Sequence, residues 1–183
     1  MTGGHQSLTL RLMAVAAITA VFALPSAATA SSLLTRDEAL ALAYPGATFT
    51  AERVFLTDAQ RKNAAAQAGV ELTSSLIARY IAKAGGKVVG RAYVDTHTVR
   101  TKKETLLVSL DEQGRVKRVD TTAFLEPTEY QPPQPFLNQY GGRPLSDDLR
   151  LQRAIRPIAG ATLTARAITD AVRRVLAIDA VLK

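Results

Sequence analysis

Residues 75–95 read SLIARYIAKAGGKVVGRAYVD. Two runs rich in β-branched and aromatic residues, 75–84 and 87–95, are separated only by Gly85-Gly86. A two-residue Gly-Gly loop between such runs signals a hairpin closed by a primed turn, because both central residues take positive φ. The same grammar recurs downstream. Residues 104–110 read as a strand, Asp111-Glu112-Gln113-Gly114 as a turn, and residues 115–125 as the returning strand. The two hairpins predict an antiparallel meander in the middle of the chain.

Working outward, Thr35-Arg36-Asp37-Glu38 and Thr57-Asp58-Ala59-Gln60 both have the spacing of a capping box. They predict one short helix ended by Tyr44-Pro45-Gly46 and a second ended at Gly69, with a strand over 48–56 between them. Residues 126–143 hold four prolines and two glycines, too many for a regular strand or long helix, and leave room for a helical turn or two over 136–140. A last helix is expected over 164–182, with Ile168, Val172, Val175 and Leu182 on one side and Arg166, Arg173 and Arg174 largely on the other. The pattern predicts an α+β fold: an antiparallel sheet of two hairpins packed by helices, the last crossing the sheet.

The chain has 183 residues, 47% hydrophobic and 21% charged. This composition suits one packed domain and excludes a disordered chain or a multidomain enzyme. Residues 1–30 carry Arg11 as their one charged side chain, a 13-residue apolar run over 12–24, and Ala28-x-Ala30. These are the three parts of a secretory signal peptide, cleaved after Ala30, and the run is too short for the roughly 20 residues of a membrane-spanning helix. Cleavage would leave residues 31–183 as a single domain in the periplasm and lower the formal charge from +7 to +6. The absence of cysteine excludes disulfides, thiol catalysis, thiolate metal sites and CxxCH haem attachment. Lys and Arg are scattered rather than striped among aromatics, which argues against nucleic acid as a partner.

His97 is the only histidine left after export, so a two-histidine metal site is excluded, and no metal ligand set is expected. Asp95 would share its strand face. No phosphate-binding glycine motif of the common kinds occurs. The segment that stands out is Arg156-Pro157-Ile158-Ala159-Gly160-Ala161-Thr162-Leu163-Thr164, directly before the last helix. Small residues let a planar group approach the backbone, and a helix start offers unpaired N–H donors and a positive dipole end. Equally, Gly160 reads as a turn residue and Thr162 or Thr164 as an N-cap, which alone would explain the residues.

Gly160-Ala161-Thr162-Leu163-Thr164, followed by Ala167-Ile168 and Ala171-Val172, resembles the signature of the FMN-binding domain family, which includes flavin subunits of the sodium-pumping NADH:quinone reductase and the Rnf complex. In the same order, Lys87-Val88-Val89-Gly90, Gly114 before Arg115-Val116, Glu126-Pro127, and Phe136-Leu137-x-Gln139-x-x-Gly142 resemble the family. The likeness covers residues 78–178, about two thirds of the processed chain. It implies that a flavin transferase joins FMN through its phosphate to the Thr162 hydroxyl. Gly160, Ala161 and Leu163 would then lie against the cofactor, with Thr164 capping the helix or binding the phosphate. Leu163 and the 136–140 segment would cover the ring, and His97 and Glu126 would stand at its edge. It further implies an electron-transfer flavoprotein, rather than a stand-alone enzyme, working between membrane-associated redox proteins. The chain departs from the family's acceptor motif at two positions, Arg156 for Asp and Ala159 for Ser or Thr. Loss of the Asp would weaken recognition by the transferase, although Arg156 could instead pair with the added phosphate. The alternative is a flavin-free periplasmic binding or assembly module of the same fold, with residues 126–143 as its partner surface.

Overall fold

The computed structural model describes residues 33–183, with Met1 and Thr2; the expected signal peptide and its cleavage site lie outside the described residues. The elements in chain order are α1 (Arg36–Ala43), β1 (Thr48–Phe55), α2 (Asp58–Ala68), β2 (Leu76–Ala84), β3 (Lys87–Thr98), β4 (Lys103–Leu110), β5 (Val116–Phe124), α3 (Gln134–Leu137) and α4 (Thr162–Val181). Short 3₁₀ turns at Thr128–Tyr130 and Asn138–Tyr140 flank α3. The fold is α+β, as the hairpin and capping patterns predict.

The five strands form one antiparallel sheet in the order β1-β2-β3-β4-β5. Gly85 and Gly86 take φ of 55° and 77°, the primed turn their pairing calls for, and Gly114 takes 86° in the second hairpin. The structure joins the two hairpins by pairing β3 with β4, from Arg91 opposite Leu110 to Thr98 opposite Lys103. β3 runs three residues further than expected, which keeps Asp95 and His97 on the strand.

Both capping boxes are present. Thr35 and Thr57 each accept a hydrogen bond from the backbone N–H three residues on, and the side chains of Glu38 and Gln60 accept one from the backbone N–H of the cap residue. Each such box satisfies two backbone donors at the helix start. α1 lies on one face of the sheet, where Leu40, Ala43 and Tyr44 pack with Ala82, Ala92 and Leu107. The Tyr44 ring sits over Gly90, and its hydroxyl lies 2.8 Å from both the Arg91 and Leu110 carbonyl oxygens. A side chain at position 90 would meet that ring and the β4 backbone, so the close approach requires glycine.

The main core lies on the other face, where α4 buries Ala165, Ile168, Val172 and Val175 against Tyr93, Leu106, Val108 and the packed α2. Two expectations fail here. Arg173 is not on a solvent face: it is 1% exposed, and it donates to the carbonyls of Ala68, Ser146 and Leu149. The reason is that α4 is covered on two sides, by the sheet and by α2 with the 145–155 loop. Phe136 and Tyr140 are buried edge to face, 5.8 Å between centroids, with the Tyr140 hydroxyl 2.7 Å from that of Thr169. They serve the core, leaving neither to cover a bound ring.

Candidate functional site

Gly160 takes φ of 77° in open space, so its lack of a side chain serves the backbone turn rather than a tight fit. The turn closes through the Ala161 N–H to the Ile158 carbonyl at 3.2 Å, and α4 begins at the next residue. The helix therefore starts two residues before the expected position. Ala161 stands at the N-cap, with no side-chain cap hydrogen bond. Thr164 is not the cap: it is the third helical residue and is buried at 2% exposure. Thr162 is the first helical residue, and its side chain is exposed, as is Leu163.

A cavity of about 360 Å³ opens beside Thr162, lined also by Arg150, Gln152, Pro157, Arg166 and Asp170. Free N–H groups and the helix dipole favour an anion at such a helix start. Two guanidiniums add the charge-assisted donors that suit phosphate or carboxylate. The loop leading in is fixed by Gln139, which accepts from the Arg156 N–H at 2.8 Å and donates to the Arg156 carbonyl at 3.2 Å. Sequence reasoning had no signal for Arg150, which lies in an irregular loop. Arg166 it read only as part of a polar helix face.

Because Gly160 is held by its φ, Gly160→Ala is expected to cost about 1 kcal/mol of stability, the usual strain of a left-handed non-glycine residue. Chemical denaturation of the two proteins measures it.

α4 runs antiparallel to β3. Asp179 meets Arg91 and Tyr93, whereas Arg174 meets Asp95 two residues further along the strand. Thr162 lies about 18 Å beyond Arg174 along the helix axis, whereas β3 continues only about 10 Å past Asp95. The 99–102 turn joins β3 to β4 at the end of the sheet beyond Asp95, whereas α4 nearer its start meets the 138–140 turn, through Thr169 and Tyr140. Glu126 is at the 99–102 turn: its Oε1 accepts the N–H groups of Arg100, Thr101 and Lys102 at 3.0, 2.7 and 2.8 Å. Those bonds hold the Glu126 carboxyl below the usual carboxylate range. Arg100 stacks over the Tyr130 ring at 5.3 Å and braces the same turn. Glu126 therefore organises a loop, beside a hollow lined by residues 100–102 and 125–128. The predicted residues Thr162, His97 and Glu126 line three separate hollows, and the structure does not bring them together.

His97 sits between two carboxylates, with Nδ1 2.9 Å from Asp95 and Nε2 3.2 Å from Glu104, which is fully buried. Only the imidazolium can donate from both nitrogens at once. Burial opposes that charge, but the hydrogen bonds to Asp95 and Glu104 outweigh it and raise the His97 pKa to about 9. Arg174 completes the network by donating from Nε and Nη2 to the two Asp95 oxygens at 2.9 and 2.8 Å. Both nitrogens of His97 are committed, so it acts on its surroundings as a fixed charge rather than as a base.

A raised histidine pKa stabilises the fold fully below the unfolded value of 6.5, and that stabilisation is lost as pH climbs through about 9. The wild type is expected to lose on the order of 2–3 kcal/mol across this window. His97→Gln should flatten that part of the curve, as read by denaturant unfolding at stepped pH.

Among the described residues no group of three or more His, Asp or Glu side chains is arranged to hold a metal ion, and no described helix is long and apolar enough to cross a membrane. Comparison with protein-family models, curated proteins and solved structures gave no match.

Proposed function

We propose that this chain is an exported, periplasmic flavoprotein that carries FMN on Thr162, attached by a flavin transferase through a phosphoester. It would pass electrons between membrane-associated redox proteins. The observation that carries the reading is the exposed Thr162 hydroxyl at the first residue of a 20-residue helix, in one cavity with Arg150 and Arg166. The residues present fit the group. The hydroxyl is free to be esterified, the helix start and the two guanidiniums suit the one negative charge a phosphodiester keeps, and Gly160 and Ala161 keep bulk away from the approach.

Bound FMN would supply one- and two-electron transfer, chemistry that belongs to the cofactor rather than to the chain. The chain holds and orients. Gln139 fixes the Arg156 backbone and with it the path into the motif. Glu126 sets the 99–102 turn, and Leu163, next to Thr162, offers exposed apolar surface. Arg156, at the position of the family's Asp, is exposed.

The test is production of the full chain with its signal and a flavin transferase, followed by denaturing electrophoresis and fluorescence imaging. A fluorescent band supports the reading. A dark band from folded protein would replace it with the flavin-free module.

A further inference from the structure

On the opposite side of α4 lies a second cavity of about 640 Å³, between β3, the loop before β2 and the helix residues Arg174, Val175 and Ile178. At 100° per residue these helix positions face away from Thr162, Arg166 and Thr169, so the two cavities are distinct. The volume is well within the range of small-molecule sites.

The lining is graded along its length. Tyr93 and Ile178 wall one end, with Leu72 buried beside them. At the other end Arg174 reaches Asp95 from the α4 face, and Lys103, opposite Thr98 in the strand register, borders the cavity from the other face of the sheet. Arg174 spends Nε and Nη2 on Asp95, and its Nη1 has no partner among the described residues. His97 and Arg174 balance Asp95 and the buried Glu104 in the wall. At the rim Arg53 and Lys103, neither paired among the described residues, outnumber Glu71. Leu76 and, opposite it in register, Phe55 form an exposed apolar lip.

We propose that this cavity binds a small amphipathic organic anion, its acid group toward the free Arg174 Nη1 in the field of the rim cations Arg53 and Lys103, and its apolar body toward Tyr93 and Ile178. A charged donor left open in the wall of a cavity is what such a head group would satisfy. The site does not depend on a flavin at Thr162.

The probe is 1-anilinonaphthalene-8-sulfonate, with neutral N-phenyl-1-naphthylamine as its uncharged counterpart, titrated into the folded full-length protein. Saturable one-to-one fluorescence is expected, with amide shifts confined to the residues about the cavity: 71–78, 93–98, 174–178, Arg53 and Lys103. Arg53→Gln combined with Lys103→Gln should weaken the sulfonate about tenfold and leave the neutral dye unchanged. Both positions are on the rim, so the melting temperature should hold. Arg174→Gln should weaken the sulfonate too; if it fails to fold, the rim variant decides alone. Thr162→Ala should bind the probe like wild type, which separates this site from the flavin reading. Non-saturating fluorescence, shifts elsewhere, or a rim variant with wild-type affinity would overturn the proposal.

Discussion

Thr162→Ala is expected to abolish all flavin fluorescence that survives denaturation, while the protein folds and melts nearly as wild type. The side chain is exposed and makes no cap hydrogen bond, so its removal touches neither packing nor the helix start. Thr162→Ser should keep the band, because it keeps the hydroxyl. Thr164→Ala is the necessary contrast. Thr164 is buried, so this change should cost about 1 kcal/mol through lost packing while leaving the band in place. In-gel fluorescence and thermal melts of each apo protein read both outcomes. A bright band from Thr162→Ala would move the attachment elsewhere.

Arg173→Met is expected to be the most damaging of these changes to stability, by about 2–4 kcal/mol. The guanidinium donates to carbonyls of α2's last residue, Ala68, and of Ser146 and Leu149 in the loop that runs toward the Thr162 motif. Methionine fills much of the same volume but leaves those buried acceptors unmet, and an unsatisfied buried acceptor costs more than its hydrogen bond contributes. Urea unfolding gives the size. A loss below about 0.5 kcal/mol would mean that water replaces the guanidinium at those carbonyls.

Local chemistry in the sequence marks the sheet and the first two helices. Gly85-Gly86, Gly114 and the two capping boxes act over a few residues, so their reading does not depend on what packs above them. Features decided by tertiary packing are not marked that way. A threonine is a better N-cap than an alanine, yet Ala161 takes that place because the Gly160 turn delivers the chain to the helix at that point. Arg173 reads as solvent-facing on a helix with one apolar stripe, but α4 is covered on two sides. The Asp95, His97, Glu104 and Arg174 cluster joins two strands and a helix, and only the pairing of Asp95 with His97 is visible as a two-residue spacing.

Every strand pairs only with its neighbours in the chain, so the sheet can grow hairpin by hairpin at small loop-closure cost. α4 is the exception, reaching back across some hundred residues to α2, as Arg173 does to Ala68. Its docking has the longest loops to close and belongs late in the order of assembly. The cavity beside Thr162 is lined by residues 150–170, and Arg173 ties the loop that enters this stretch to α2. An enzyme recognising Thr162 in that setting would pass over unfinished chains, so modification would double as a record that folding had reached its end.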